Sequence, residues 1–198
     1  MMNHEFSQLM QSVVQGDKQA AAQLVQDYEP EIRRIVRFRL KDPQLRRVFD
    51  STDICQSVFG QFFCLAELGR FDLTSPRDLI NLLAKMASNR VIDRYRSEQS
   101  QRRLRQQRWH SQSETVNGYG EILDAQEFPD NEIERQELLE KIRHRMSPTV
   151  RQISELRTQG KSWLEIAQQM GESPQALRKR LERSCATIFQ DLGIQVDE

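Results

Sequence analysis

No apolar run in this 198-residue chain approaches the roughly 18 residues that a membrane-spanning helix needs, and no charged start followed by an apolar core reads as a secretion signal. Membrane insertion is therefore excluded as an expectation, and a cytoplasmic location is predicted. Glycine and proline are scarce, at 8 and 6 residues, which disfavours a sheet-rich or loop-rich architecture. There are only three cysteines, Cys55, Cys64 and Cys185, with no C-x-x-C spacing and no histidine pattern nearby. They read as buried thiols and not as metal ligands. The histidines, His4, His110 and His144, are isolated from one another, and no nucleophile elbow, glycine-rich phosphate loop or paired-carboxylate pattern is present. Enzyme chemistry has no visible support, and neither a cofactor nor a metal is expected.

Net charge is also absent, at zero, but this average conceals segregation. Glu31 to Arg47 carries seven cations against two acids, and Lys85 to Arg108 carries eight against two. Glu114 to Glu140 inverts the balance, with nine acids and the single cation Arg135, and Arg143 to Arg183 is basic again, nine to four. Phosphate binding depends on local basic patches more than on net charge, so two basic bodies flanking an acidic connector remain compatible with a nucleic-acid partner.

What the chain does contain is helical periodicity. Phe6, Leu9, Met10 and Val13 make one apolar face, and after Gly16 and Asp17 a second helix carries Ala21, Leu24, Val25 and Tyr28. Pro30 fits the first turn of a third helix with Ile32, Ile35, Val36 and Leu40, which Asp42 and Pro43 interrupt. Asp53 is the predicted cap of a strongly apolar helix bearing Ile54, Val58, Phe59, Phe62, Phe63 and Leu65. A loop from Gly69 to Thr74 leads to Ser75, Pro76 and Asp78, which open a long helix with Leu79, Leu82, Leu83, Met86, Ala87 and Val91 on its buried side. Its far end is basic, with Tyr95 interleaved, and Ser97 to Trp109 extends it as a basic arm. The Gln-, Ser- and acid-rich remainder, with Gly118, Gly120 and Pro129, reads as a tether.

The sharpest local pattern lies between Gly160 and Leu192. Ser162 and Glu165 form an S-x-x-E capping box, Trp163, Ile166, Ala167 and Met170 share a face, and Gly171 ends the helix. Ser173 and Pro174 restart the chain as cap and first helical residue. Leu177, Leu181 and Ile188 then continue an apolar stripe that leaves Gln175, Arg178, Lys179, Arg180 and Arg183 on the other sides. A helix-turn-helix presents such a second helix to the major groove, and Gln175, Arg178 and Lys179 are the candidates for base reading.

Three motifs in order resemble the extracytoplasmic-function (ECF) group of RNA polymerase sigma factors. They are Asp50, Asp53, Ile54 and Gln56 with Val58 and Phe59; Ala87, Asn89, Asp93 and Arg96; and Gly160, Ser162, Glu165, Ile166 and Ala167. The resemblance covers about residues 7 to 100 and 132 to 193. It implies an all-α fold of two small helical domains joined by a flexible linker: 1–100, which docks on polymerase and captures the −10 element; linker 101–131; and 132–198, a helix-turn-helix (winged-helix-like) domain that reads the −35 element.

The same resemblance implies a non-catalytic initiation factor. Its partners would be core RNA polymerase, through the clamp of the largest subunit and the flap of the second-largest, promoter DNA, and in many members an anti-sigma factor. Asp50, Asp53, Gln56 and Phe59 would face polymerase. Arg70, Phe71, Asn89, Arg90, Asp93, Arg94 and Arg96 would hold the −10 element, and Ser173, Gln175, Arg178, Lys179 and Arg183 the −35 element. Two departures bear on promoter sequence: Leu177 replaces the usual β-branched residue of the recognition helix, and Ser184-Cys185 replaces a common alanine-arginine pair. A polymerase-independent helix-turn-helix regulator and a helical protein-binding adaptor stay open as competing readings of the residues themselves.

Overall fold

A computed structural model of the chain describes residues 2–40, 50–110 and 131–194. The predicted break at Asp42 and Pro43 and most of the acidic connector lie outside these residues. Eight helices lie within them: α1 Met2–Val14, α2 Lys18–Arg39, α3 Ser51–Glu67, α4 Pro76–His110, α5 Glu132–Arg145, α6 Pro148–Thr158, α7 Trp163–Met170 and α8 Pro174–Asp191. The fold is all-α. Among the described residues no β-hairpin accompanies the helix-turn-helix, so no wing is seen there.

Helix starts follow side-chain chemistry. Asp17 accepts from the backbone N–H groups of Gln19 (2.7 Å) and Ala20 (3.1 Å), supplying acceptors for two donors that the first turn of α2 leaves open. The cap of α3 is Asp50 and not the predicted Asp53. Asp50 accepts from Thr52 N at 2.9 Å, and Asp53 lies exposed in the first turn. Either carboxylate suits a helix N-terminus, and the sequence alone did not resolve a choice between two acids three residues apart.

Pro30 is a second correction, because it sits inside one continuous α2 instead of opening a new helix. Proline there removes the hydrogen bond to residue 26, and Pro30 and Gln26 both lie on the exposed side of the helix. Leu24 on one side of it and Ile32 and Val36 on the other are buried without measurable exposure, and this packing holds the helix through the interruption. Helix α4 runs to His110, so residues 101–110 are helical as the basic-arm reading predicts.

Two buried clusters organise the packing. In the first, Phe6, Met10 and Val13 of α1 meet Leu24, Ile32 and Val36 of α2, Ile54, Val58 and Phe62 of α3, and Leu79, Leu83, Met86 and Val91 of α4. The second gathers Leu139 and Ile142 of α5, Val150 and Ile153 of α6, Trp163 and Ile166 of α7, and Leu177, Leu181, Cys185 and Phe189 of α8. Helix α3 belongs to both, since Cys64, Leu65 and the cap residue Leu68 fall in the second cluster. A helix apolar on all sides needs partners on all sides, and α3 finds one set in each half of the chain. All three cysteines are buried thiols, and burial pushes Cys55 and Cys185 each up to about 11.

Candidate nucleic-acid interface

The hairpin α7–α8 is built as its residues dictate. Ser162 Oγ accepts from Glu165 N at 3.3 Å, while the Glu165 carboxylate accepts from Ser162 N at 2.8 Å. The Ser162 hydroxyl also donates to the Glu165 carboxylate at 2.7 Å, and this bond, with the one from the Ser162 backbone, holds the Glu165 carboxyl below its ordinary range. Gly171 adopts φ +70°, a left-handed conformation that a β-carbon disfavours, and ends α7. Ser173 Oγ then accepts from Ala176 N at 3.2 Å, and Pro174 occupies the first turn of α8.

Helix α8 buries Leu177, Leu181, Cys185, Ile188 and Phe189 and exposes Ser173, Gln175, Arg178, Lys179 and Arg183. Its outer face is therefore the polar, cationic one. Arg180 is exposed as well and pairs with Glu172 at 2.6 Å. Arg178 lies over the Trp163 ring, 5.5 Å from its centroid.

The long helix α4 and the loop before it carry the second set of predicted residues. Asn89, Asp93 and Arg94 are half-buried, while Arg96 is exposed and lies 3.7 Å from Asp93. Arg90 is buried and donates to Ser57 Oγ of α3, so in this arrangement it braces α4 against α3. Phe71 stacks on Phe62, with ring centroids 5.6 Å apart and planes at 8°, and touches both buried clusters. Arg70 is half-buried beside it. Ile92, one helical turn before Arg96, and Tyr95, next to it in sequence, are exposed large side chains, and Ile92 was not singled out by the sequence. Its only signal there is displacement from the buried stripe of α4.

The predicted protein-facing residues lie on α3. Asp50, Asp53 and Gln56 are exposed, and Asp50 is held low mainly by its hydrogen bond from the Thr52 backbone. Phe59 is instead buried and stacks on Phe63 at 6.1 Å. A cavity of about 310 Å³ opens beside them, lined by Gln56, Phe59, Phe63 and the start of α5 at Asn131, Glu132 and Arg135.

Between the −10 and −35 sets runs a seam that the sequence did not suggest. Its donors come from the C-terminal half, and its acceptors are carbonyls at the end of α3, Glu67 and the cap Leu68, and in the loop that follows, Gly69 and Phe71. Arg143 Nη2 donates to Glu67 O (3.4 Å), Ser154 Oγ to Leu68 O (2.9 Å), Arg157 Nε to Gly69 O (3.3 Å) and Arg157 Nη2 to Phe71 O (2.8 Å). Helix C-termini leave carbonyls open, and here another part of the chain satisfies them. Arg135 adds an ion pair to Glu67 at 3.3 Å, both side chains being about nine-tenths buried. Asp72 faces two arginines, Arg157 at 3.6 Å and Arg178 at 3.4 Å.

Compared with known families, residues 3–193 match the ECF sigma factor family. The chain belongs to that family. No curated protein and no solved structure matches it. As an ECF sigma factor it directs transcription initiation, and its family makes RNA polymerase and promoter DNA its partners. This is a family of transcription factors and not of enzymes. No described helix is long and apolar enough to cross a membrane.

Proposed function

We propose that this ECF sigma factor grips a promoter at two points and polymerase at two more, with the division of labour that its motifs imply. Residues 132–198 read the −35 element through Ser173, Gln175, Arg178, Lys179 and Arg183. Residues 1–100 hold the −10 element with Arg70, Phe71, Asn89, Asp93, Arg94 and Arg96, and Arg90 supports them from behind by bracing α4 against α3. Asp50, Asp53 and Gln56, with Phe59 behind them, dock on the clamp of the largest polymerase subunit, and the C-terminal domain meets the flap of the second-largest. Linker 101–131 joins the two, and the protein works in the cytoplasm, where an anti-sigma factor would compete for these surfaces.

The observation that carries this reading is α8. Its buried face seats it firmly, and its exposed face offers an amide and three cations near the helix N-terminus, which is the groove-facing end in a helix-turn-helix. The docking reading draws support from the exposed acids at the N-terminal end of α3, a surface that suits a basic partner. The test is reconstitution of purified core polymerase with this protein on selected promoter fragments. A stable complex that initiates at defined sites is expected. The reading fails if no complex forms, or if the protein alone binds a duplex operator tightly as a symmetric dimer.

A further inference from the structure

A long arginine side chain at a DNA surface loses many rotamers when it engages its target, and whatever holds it in place beforehand reduces that cost. For Arg178 the holder is Trp163. The Arg178 guanidinium lies 5.5 Å from the centroid of the Trp163 ring, within the range at which an indole face attracts a cation, while the side chain stays 48% exposed on α8. We propose that Trp163 is a positioning residue for −35 recognition: its ring is a fixed platform that aims the Arg178 guanidinium at the DNA. The proposal rests on the assignment of Arg178 to the −35 set given above.

The platform is held from several sides. Trp163 is the first residue of α7, 5% exposed, and it follows the Ser162–Glu165 capping box that fixes the start of that helix. It packs in one cluster with Ile166 of α7 and with Leu177 and Leu181 of the helix that carries Arg178. Its indole N–H has no acceptor among the described residues, so packing and ring contacts set its orientation, not a hydrogen bond. A second guanidinium, Arg157, lies 4.8 Å from the ring centroid and donates to Lys161 O at 2.8 Å. Ring, hairpin and Arg157 are therefore one unit within the C-terminal half.

Arg178 is held without being used up. A guanidinium attracted to a ring face keeps its N–H donors for other partners, and here Nη2 donates to Asp72 at 3.4 Å. That carboxylate marks where an acceptor of DNA, a phosphate oxygen or a guanine edge, would be met. Burial draws the Arg157 guanidinium below its ordinary range, Asp72 opposes this, and the Arg178 charge adds to it. The two cations therefore repel, which favours the outward position of the more exposed one, Arg178.

The test is a double-mutant cycle, read as binding of holoenzyme, reconstituted from core polymerase and the full-length chain, to a promoter fragment selected with the wild type. Trp163→Leu should weaken binding about fivefold when Arg178 is present, as for a half-exposed cation–π contact. In the Arg178→Ala background it should have no further effect, because the ring then has nothing to aim. Lost core packing would instead act equally in both backgrounds. Trp163→Phe keeps a ring face and should weaken binding only about twofold, again only when Arg178 is present. If circular dichroism shows that Trp163→Leu does not fold, the cycle with Trp163→Phe decides. A folded Trp163 variant that acts equally in both backgrounds, or in neither, overturns the platform and leaves the −35 assignment standing. Unchanged binding by Arg178→Ala alone overturns the assignment of Arg178, and the platform with it.

Discussion

Glu67 sits in surroundings unlike those its residue type ordinarily occupies. It is a carboxylate at the end of α3, 8% exposed, with Arg135 at 3.3 Å as its ion-pair partner. Burial raises its carboxyl above the ordinary value, with Glu132 adding to the rise, and Arg135 only partly offsets this. A carboxyl raised on folding contributes stability that is fully present below its unfolded value near 4.5 and is lost as pH rises through the folded value. Asp50, Asp78 and Glu165 are lowered and act in the opposite sense, but they are common to wild type and a Glu67→Gln variant and cancel in the difference. The stability of wild type relative to Glu67→Gln should therefore increase when urea unfolding is repeated at pH 5 instead of pH 7. A difference that shrinks on acidification would show that Arg135, and not burial, controls this group.

At the scale of single helices, the sequence was most legible where local chemistry alone decides the outcome. The Ser162–Glu165 box, the Gly171 stop and the Ser173-Pro174 restart need only neighbouring residues, and each forms as its pattern predicts. Pro30 was misread because tertiary burial of Leu24, Ile32 and Val36 overrides a local signal that ordinarily starts a helix. The cap of α3 was misassigned because Asp50 and Asp53 offer the same chemistry to the same helix end. For α8 the buried stripe was legible and predicts a measurable asymmetry. Arg178→Ala and Lys179→Ala should each weaken −35-dependent promoter binding by the holoenzyme. A residue contacting a base edge should cost about 1–3 kcal/mol and relax sequence preference, whereas one contacting phosphate should lower the salt slope by about 1 at unchanged preference. Binding titrations across a salt series, on matched and altered −35 sequences, separate the two roles. Unchanged binding in both variants would remove α8 from the DNA interface.

At the scale of the whole molecule, periodicity shows which face of a helix is buried but not which element covers it. The strong apolarity of α3 was visible in Phe59, Phe62, Phe63 and Leu65, but that it is buried on more than one side was not drawn from it. The second partner was not legible, because the seam is made of polar side chains, Ser154, Arg157 and Arg143, meeting backbone carbonyls that no sequence pattern marks. Leu68 tests how far this joining couples the two halves. It follows the last turn of α3 in the N-terminal half, is buried without measurable exposure, and packs in the cluster formed by α5 to α8. Truncating a buried leucine to alanine costs about 2–5 kcal/mol. If the second core depends on α3, Leu68→Ala should speed amide hydrogen exchange in α6 and α8, far from it in sequence. Leu24→Ala, buried only in the first core, should have its largest effect in α1, α2 and α4. Exchange in α6 and α8 that is unaltered by Leu68→Ala would mean that the C-terminal helices hold their core without α3, leaving the seam a contact between two independently stable bodies.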